Sequence, residues 1–213
     1  MLIDMKVSGK RVLVVGGGRV GERKTASLLR EGADVTVVSD RFTERLTDLS
    51  KEGRIKIERV GRGACTEIIK MLSDSNFIIA ATDDRELNRR LAEQARASKI
   101  PICVVDNPEI CDFHFPATAD FGSLKIAVST GGRSPVMADI LRRKLERSIT
   151  EEDILKIELQ SYARSLLRSG GVDKAARRRI LYNIIKDRKI SNLLRGGRLE
   201  EAKEVARGII RKA

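Results

Sequence analysis

Apolar runs recur along the first half of the chain at residues 11–15, 34–39, 55–60, 76–81 and 100–105. Several are β-branched and uninterrupted, the pattern of strands covered on both faces of a parallel sheet. Between them the spacing turns helical. Residues 19–30 place Val20, Ala26, Leu28 and Leu29 among charges, and helices are also predicted over 42–51, 66–72 and from about Asp84 to Ser98. Strand and helix alternate, and the helices are long enough for crossovers. The prediction is an α/β fold: a Rossmann-like parallel sheet with right-handed connections.

The first strand ends in Gly16-Gly17-Gly18-Arg19-Val20-Gly21, which fits G-x-G-x-x-G at Gly16, Gly18 and Gly21. Glycine-rich turns are common, so the weight lies in the context of strand before and helix after. In that context Gly16 allows a sharp turn, Gly18 lets backbone approach a pyrophosphate, and Gly21 lets helix and strand pack closely. Unpaired N–H groups at the helix start suit the same anion. The candidate cofactor residues are therefore Gly16, Gly17, Gly18, Arg19 and Val20.

At the end of the second strand, where this fold holds the adenosine ribose, stand Ser39, Asp40 and Arg41. Asp40 suits ribose hydroxyls and hence NAD; Arg41 suits a 2′-phosphate and hence NADP. The reading adopted is NAD. Thr82, after the fourth strand, faces the crevice in such a fold, while Asp83 or Asp84 serves equally well as a helix cap. The fifth strand runs into Asp106-Asn107-Pro108, three turn formers that also put a carboxylate at a strand's carboxyl end.

Beyond residue 112 the alternation breaks. Residues 113–117 and 124–129 read as strands with no helix between them. Ser134 and Pro135 then start a helix running to about Arg147. Thr150 opens another in capping-box style, and residues up to 213 read as two or three helices broken at Gly170-Gly171 and Gly196-Gly197. These helices look too small and too charged to fold alone, so they are expected to pack on the first domain or on a second subunit. The division expected is a dinucleotide-binding domain over 1–113, a small strand-containing dimerisation region over 114–148 and a helical C-terminal domain over 149–213.

Charge adds a partner class. The net charge is +12, and residues 114–213 hold 22 Lys and Arg against 12 Asp and Glu. A basic second half points to an anionic partner. Aromatic residues make up 3% of the chain, leaving little surface for base stacking. Three cysteines without a C-x-x-C and a single histidine, His114, give no metal or disulfide framework. No run approaches the ~18 apolar residues of a membrane span, and the N-terminus lacks a signal-peptide pattern, so a cytoplasmic location is expected.

V-V-G-G-G-R-V-G-E-R-K, A-A-T-D-D, V-V-D-N-P followed by F-P, and V-S-T-G-G-R-S-P resemble, in order and spacing, the precorrin-2 dehydrogenase family. That family includes the N-terminal module of siroheme synthase. The resemblance implies NAD-dependent oxidation of precorrin-2, a polycarboxylate tetrapyrrole, to sirohydrochlorin by a homodimer. It places the essential aspartate on Asp106, as general base, and the cofactor loop on Gly16 to Val20. Some members also insert Fe²⁺, and some carry a phosphorylated serine where this chain has Thr130. Two other readings stay open: a dehydrogenase that is also a sirohydrochlorin ferrochelatase, and a non-enzymatic NAD-sensing module whose basic helices bind nucleic acid. A different NAD-dependent dehydrogenase is a third.

Overall fold

The computed structural model describes residues 2–61, 63–105 and 107–212, and the chain divides into two compact units, Met1–Phe115 and Pro116–Ala213. In the first, β1 (Arg11–Gly17), β2 (Asp34–Phe42), β3 (Lys56–Arg59), β4 (Phe77–Ala80) and β5 (Ile102–Val104) form one parallel sheet. The strand order is β3-β2-β1-β4-β5, so the chain reverses its direction of travel across the sheet between β1 and β4. The intervening helices are α1 (Arg19–Arg30), α2 (Glu44–Lys51), α3 (Cys65–Leu72) and α4 (Arg85–Ala97).

Successive residues of a strand point to opposite faces, and β1 shows the consequence. Val12 and Val14 join Leu28 of α1 and Leu46 and Leu49 of α2 in one core, while Leu13 and Val15 join Ile68 and Leu72 of α3 and Leu91 of α4 in the other. A central strand covered twice has no place for a polar residue, which is why the first run reads as unbroken Val and Leu. The edge strand β3 is mostly exposed and correspondingly charged, with sequence Lys-Ile-Glu-Arg.

The strand expected over 113–117 lies elsewhere. Phe113 and Phe115 have the right alternation, but their rings form a cluster with Phe77, at centroid distances of 6.1 and 5.7 Å, and Lys24 lies 3.9 Å from the Phe115 ring centre. Pro116 has no N–H to give a ladder. The strand, β6, starts only after it, at Ala117–Asp120, and pairs antiparallel with β7 (Lys125–Val128). Helix α5 (Pro135–Glu146), capped by Ser134 as expected, packs on both strands.

Among the described residues four helices follow, not two or three: α6 (Glu151–Ser169), α7 (Lys174–Lys186), α8 (Arg188–Arg195) and α9 (Leu199–Arg211). The additional break falls at Asp187, which ends α7 with an extended backbone (φ −69°, ψ 123°) and caps α8 by accepting from the Ile190 N–H at 2.9 Å. These helices close on a core of their own. Leu159, Ala163 and Leu167 meet Ile180 and Ile184, with Ile190, Leu193, Leu194, Ala202 and Ala206 completing it, all buried. The tail thus has a core of its own, because four short apolar stripes converge.

Candidate functional site

A cleft of about 860 Å³ opens beyond the carboxyl ends of β1, β2 and β4, where the strand order reverses. Open α/β sheets bind their ligands at this position. All nine residues expected from the sequence to hold a cofactor line it: Gly16, Gly17, Gly18, Arg19 and Val20 from the end of β1 into α1, Ser39, Asp40 and Arg41 near the end of β2, and Thr82 after β4.

The glycines differ in what they do. Gly16 has φ +119°, and a Cβ there would lie 2.4 Å from the Ala81 carbonyl oxygen. A Cβ on Gly21 would lie 1.9 Å from the Gly16 carbonyl oxygen, so only glycine lets α1 come this close to the turn. Gly18 is another case. Its φ of −81° is open to any residue, and a Cβ would meet nothing within 4 Å. Internal packing therefore gives no reason for glycine at 18, whereas backbone exposed to a ligand does. Gly18 is also the N-cap of α1, and no side chain caps that helix. Its first N–H groups and the positive end of its dipole face the cleft. A dinucleotide's pyrophosphate fits this cradle.

The rim of the cleft is braced from within. The Thr82 hydroxyl donates to Asn88 Oδ1 at 2.7 Å, and the Asn88 amide donates back to the Thr82 carbonyl at 3.0 Å. Asn88 is buried in α4, a polar side chain in an otherwise apolar face. Sequence reasoning passed over it; an isolated Asn at a core position of a helix was the available signal. Asp84 is the cap of α4, accepting from the Leu87 N–H at 2.9 Å, and both Asp83 and Asp84 line the cleft. Gly61, Gly63 and Ala64, at the turn into α3, form a further side of the cleft. Arg59 Nη1 donates to the Asp40 carbonyl at 2.8 Å and its guanidinium lies 5.4 Å from the Phe42 ring centre, fixing the end of β2.

Asp106 lies outside the described residues, but the chain on both sides of it is pinned. After β5 the backbone folds back so that the Asp112 N–H donates to the Ile102 carbonyl (2.9 Å) and Asp112 Oδ2 accepts from the Ile102 N–H (3.0 Å). The Cys111 thiol donates to the Val104 carbonyl and accepts from the Val104 N–H, each at 3.0 Å. Asp112 is therefore committed as a brace. Burial, with the neighbouring Cys111 thiol, pushes the Cys103 thiol up to about 12, which keeps it protonated near neutral pH. Burial also lowers the pKa of Lys24, on α1.

A family model described as "Putative NAD(P)-binding" matches residues 3–117, more than half of the chain. A second, described as "Sirohaem biosynthesis protein central", matches residues 122–148. The chain belongs to the siroheme synthase family of NAD(P)-binding proteins. Siroheme synthase of Nitrosospira multiformis is 41% identical over 151 residues, covering 69% of this chain and 31% of the relative. That of Methylococcus capsulatus is 36% identical over 205 residues, covering 95% of this chain and 42% of the relative. The chain thus spans less than half the length of these family members. Among solved structures, SirC, a precorrin-2 dehydrogenase, shares the fold along nearly the whole of both chains, with a TM-score of 0.74, 23% identity, and 98% of this chain and 99% of that one covered. The cofactor class of this family, NAD(P), agrees with the open Gly18 and the uncapped α1.

Proposed function

We propose that this chain is an NAD-dependent dehydrogenase that oxidises precorrin-2 to sirohydrochlorin. The observation that carries the reading is the cleft at the β1/β4 switch point, with an uncapped helix and an unfilled glycine at its mouth, in a chain whose relatives are siroheme synthases. The Gly16, Gly17 and Gly18 backbone and the start of α1 hold the pyrophosphate. Asp40 takes the adenosine ribose, which favours NAD over its phosphorylated form. Bound there, the nicotinamide supplies the hydride acceptor.

Oxidation of the macrocycle removes a hydride and a proton. The proton goes to the Asp106 carboxylate, a step typically contributing about 10²–10⁴ in rate. Asp112 and Cys111 hold the base of that loop. The working form is a homodimer, as the apolar face of α5 suggests: Val136, Met137, Ile140, Leu141 and Leu145 are 39–69% exposed and recur at helical spacing. Scattered exposed apolar residues are ordinary; five on one helix face mark an interaction surface. The cytoplasm, where NAD⁺ is available, is the location proposed.

The test is spectral. Purified protein with precorrin-2 and NAD⁺ should develop sirohydrochlorin absorbance, and Asp106→Asn should slow it at least a hundredfold with near-native melting and NAD⁺ binding. Activity within a few-fold of wild type would remove Asp106 from the mechanism and leave exposed Glu109 as the nearer acid, since Asp112 is engaged.

A further inference from the structure

The ten excess positive charges of the second half are not spread evenly. Six of the cations, Lys156, Arg164, Arg168, Lys174, Arg177 and Arg178, line a single cleft of about 970 Å³ between α6 and α7, and no carboxylate lines it. On α6 the positions 156, 160, 164 and 168 stand four residues apart and form one stripe. At 1.5 Å per residue that stripe runs roughly 18 Å, the scale of a tetrapyrrole with its acid arms extended. Lys156 is held at 2.8 Å by Glu152, whereas among the described residues none of the five other cations has a carboxylate partner within 4.0 Å.

Between the cations the lining is mixed, with Gln160 and Ser161 beside apolar side chains. Ile157, Leu181 and Ile185 contribute to its walls, and Tyr182 is 56% exposed. The Arg178 guanidinium lies 5.8 Å from the Tyr182 ring centre, so ring and cation are presented together. Gln160 Nε2 donates to the Leu181 carbonyl at 3.0 Å and ties the two helices across the floor. An isolated phosphate has no use for that floor, and a nucleic-acid strand needs a series of stacking platforms rather than one ring. A ligand that uses everything present is flat, apolar at its centre and anionic at its rim.

We propose that the α6/α7 cleft binds a planar macrocycle with carboxylates around its rim, the substrate class of the dehydrogenase reading, on which this inference rests. Arginine forks suit carboxylates better than point charges do, and the four arginines engaged together with Lys174 add up although each exposed pair contributes little. The tyrosine ring and the aliphatic floor take the face of the disc.

The test uses the full chain with uroporphyrin, whose rim is fully carboxylated, followed by its fluorescence. Deuteroporphyrin, with fewer carboxylates, is the comparison. Uroporphyrin should bind at least tenfold more tightly than deuteroporphyrin. Arg164→Glu with Arg168→Glu, both exposed and outside the helical core, should weaken uroporphyrin at least tenfold while NAD⁺ affinity stays as in wild type. If that double variant melts early, Arg164→Gln with Arg168→Gln should still weaken it severalfold. Unchanged uroporphyrin affinity in both pairs overturns the proposal, as does displacement of uroporphyrin by a short DNA duplex at physiological salt. The two readings separate cleanly. Cleft-dependent porphyrin binding without any turnover of precorrin-2 keeps this site and defeats the dehydrogenase reading; turnover unaffected by the charge reversals does the opposite.

Discussion

Gly18→Asp isolates the cofactor site from the fold. A Cβ at this position meets nothing within 4 Å, and φ −81° is ordinary for any residue, so the substitution introduces neither clash nor backbone strain. Position 18 is also the N-cap of α1, which no side chain caps. Asp is among the best N-cap residues and gains a few tenths of a kcal/mol over Gly there, so the free protein should melt at the wild-type temperature or slightly above it. The same carboxylate that caps the helix occupies the N–H groups a pyrophosphate would use, and repels it. Two pyrophosphate charges about 5 Å away in a water-like dielectric cost roughly 1.7 kcal/mol, about 15-fold in affinity. Lost N–H contacts add to that, so a fall of at least about tenfold is expected. Titration calorimetry with NAD⁺ reads it directly. Unchanged affinity in a variant that melts normally would refute the cofactor assignment of the glycine loop.

The legible parts of this chain are those where one residue type answers one local demand. Gly16 and Gly21 could be read from the sequence because a positive φ and a 1.9 Å approach admit nothing else. The central strands were legible because burial on two faces removes every polar residue. Asp187 was not, because a residue that ends one helix and caps the next looks, without Gly or Pro beside it, like any polar position of a continuous helix. Phe113 and Phe115 misled for the reverse reason: period-two alternation arises from a strand, or from a ring cluster in which Phe113 packs on Phe77 and Phe115 on Phe113. The tail's charge excess was visible as a sum. Its grouping into one cleft depends on how α6 faces α7, which no window along a single helix reports. The Thr82–Asn88 pair is likewise a contact between a loop and the helix it precedes, invisible until both are placed.

Gly21→Ala is the counterpart of the first variant: its methyl group collides with the Gly16 backbone, and a loss of at least about 2 kcal/mol should show as an early melting transition. Ile140→Glu puts a charge into the exposed apolar face of α5 and should shift light scattering towards the 23.7 kDa monomer mass; a dimer of undiminished stability would place the interface elsewhere. The capping box of α6 carries a pH dependence whose sign follows from its geometry. Asp153 accepts from the Thr150 hydroxyl at 2.7 Å and from the Thr150 N–H at 3.0 Å, and these bonds hold its pKa below the ordinary 3.8. A carboxyl more acidic when folded binds fewer protons than in the unfolded chain, so its contribution is present above the unfolded value and lost as pH falls below it. Thr150→Ala removes the reciprocal cap and should cost about 1 kcal/mol at pH 7. The difference in melting temperature between wild type and variant should then narrow as pH drops through the range below 3.8, since protonation undoes part of the same interaction in the wild type. An equal difference at neutral and acid pH would mean that the Asp153 charge contributes nothing to the start of α6.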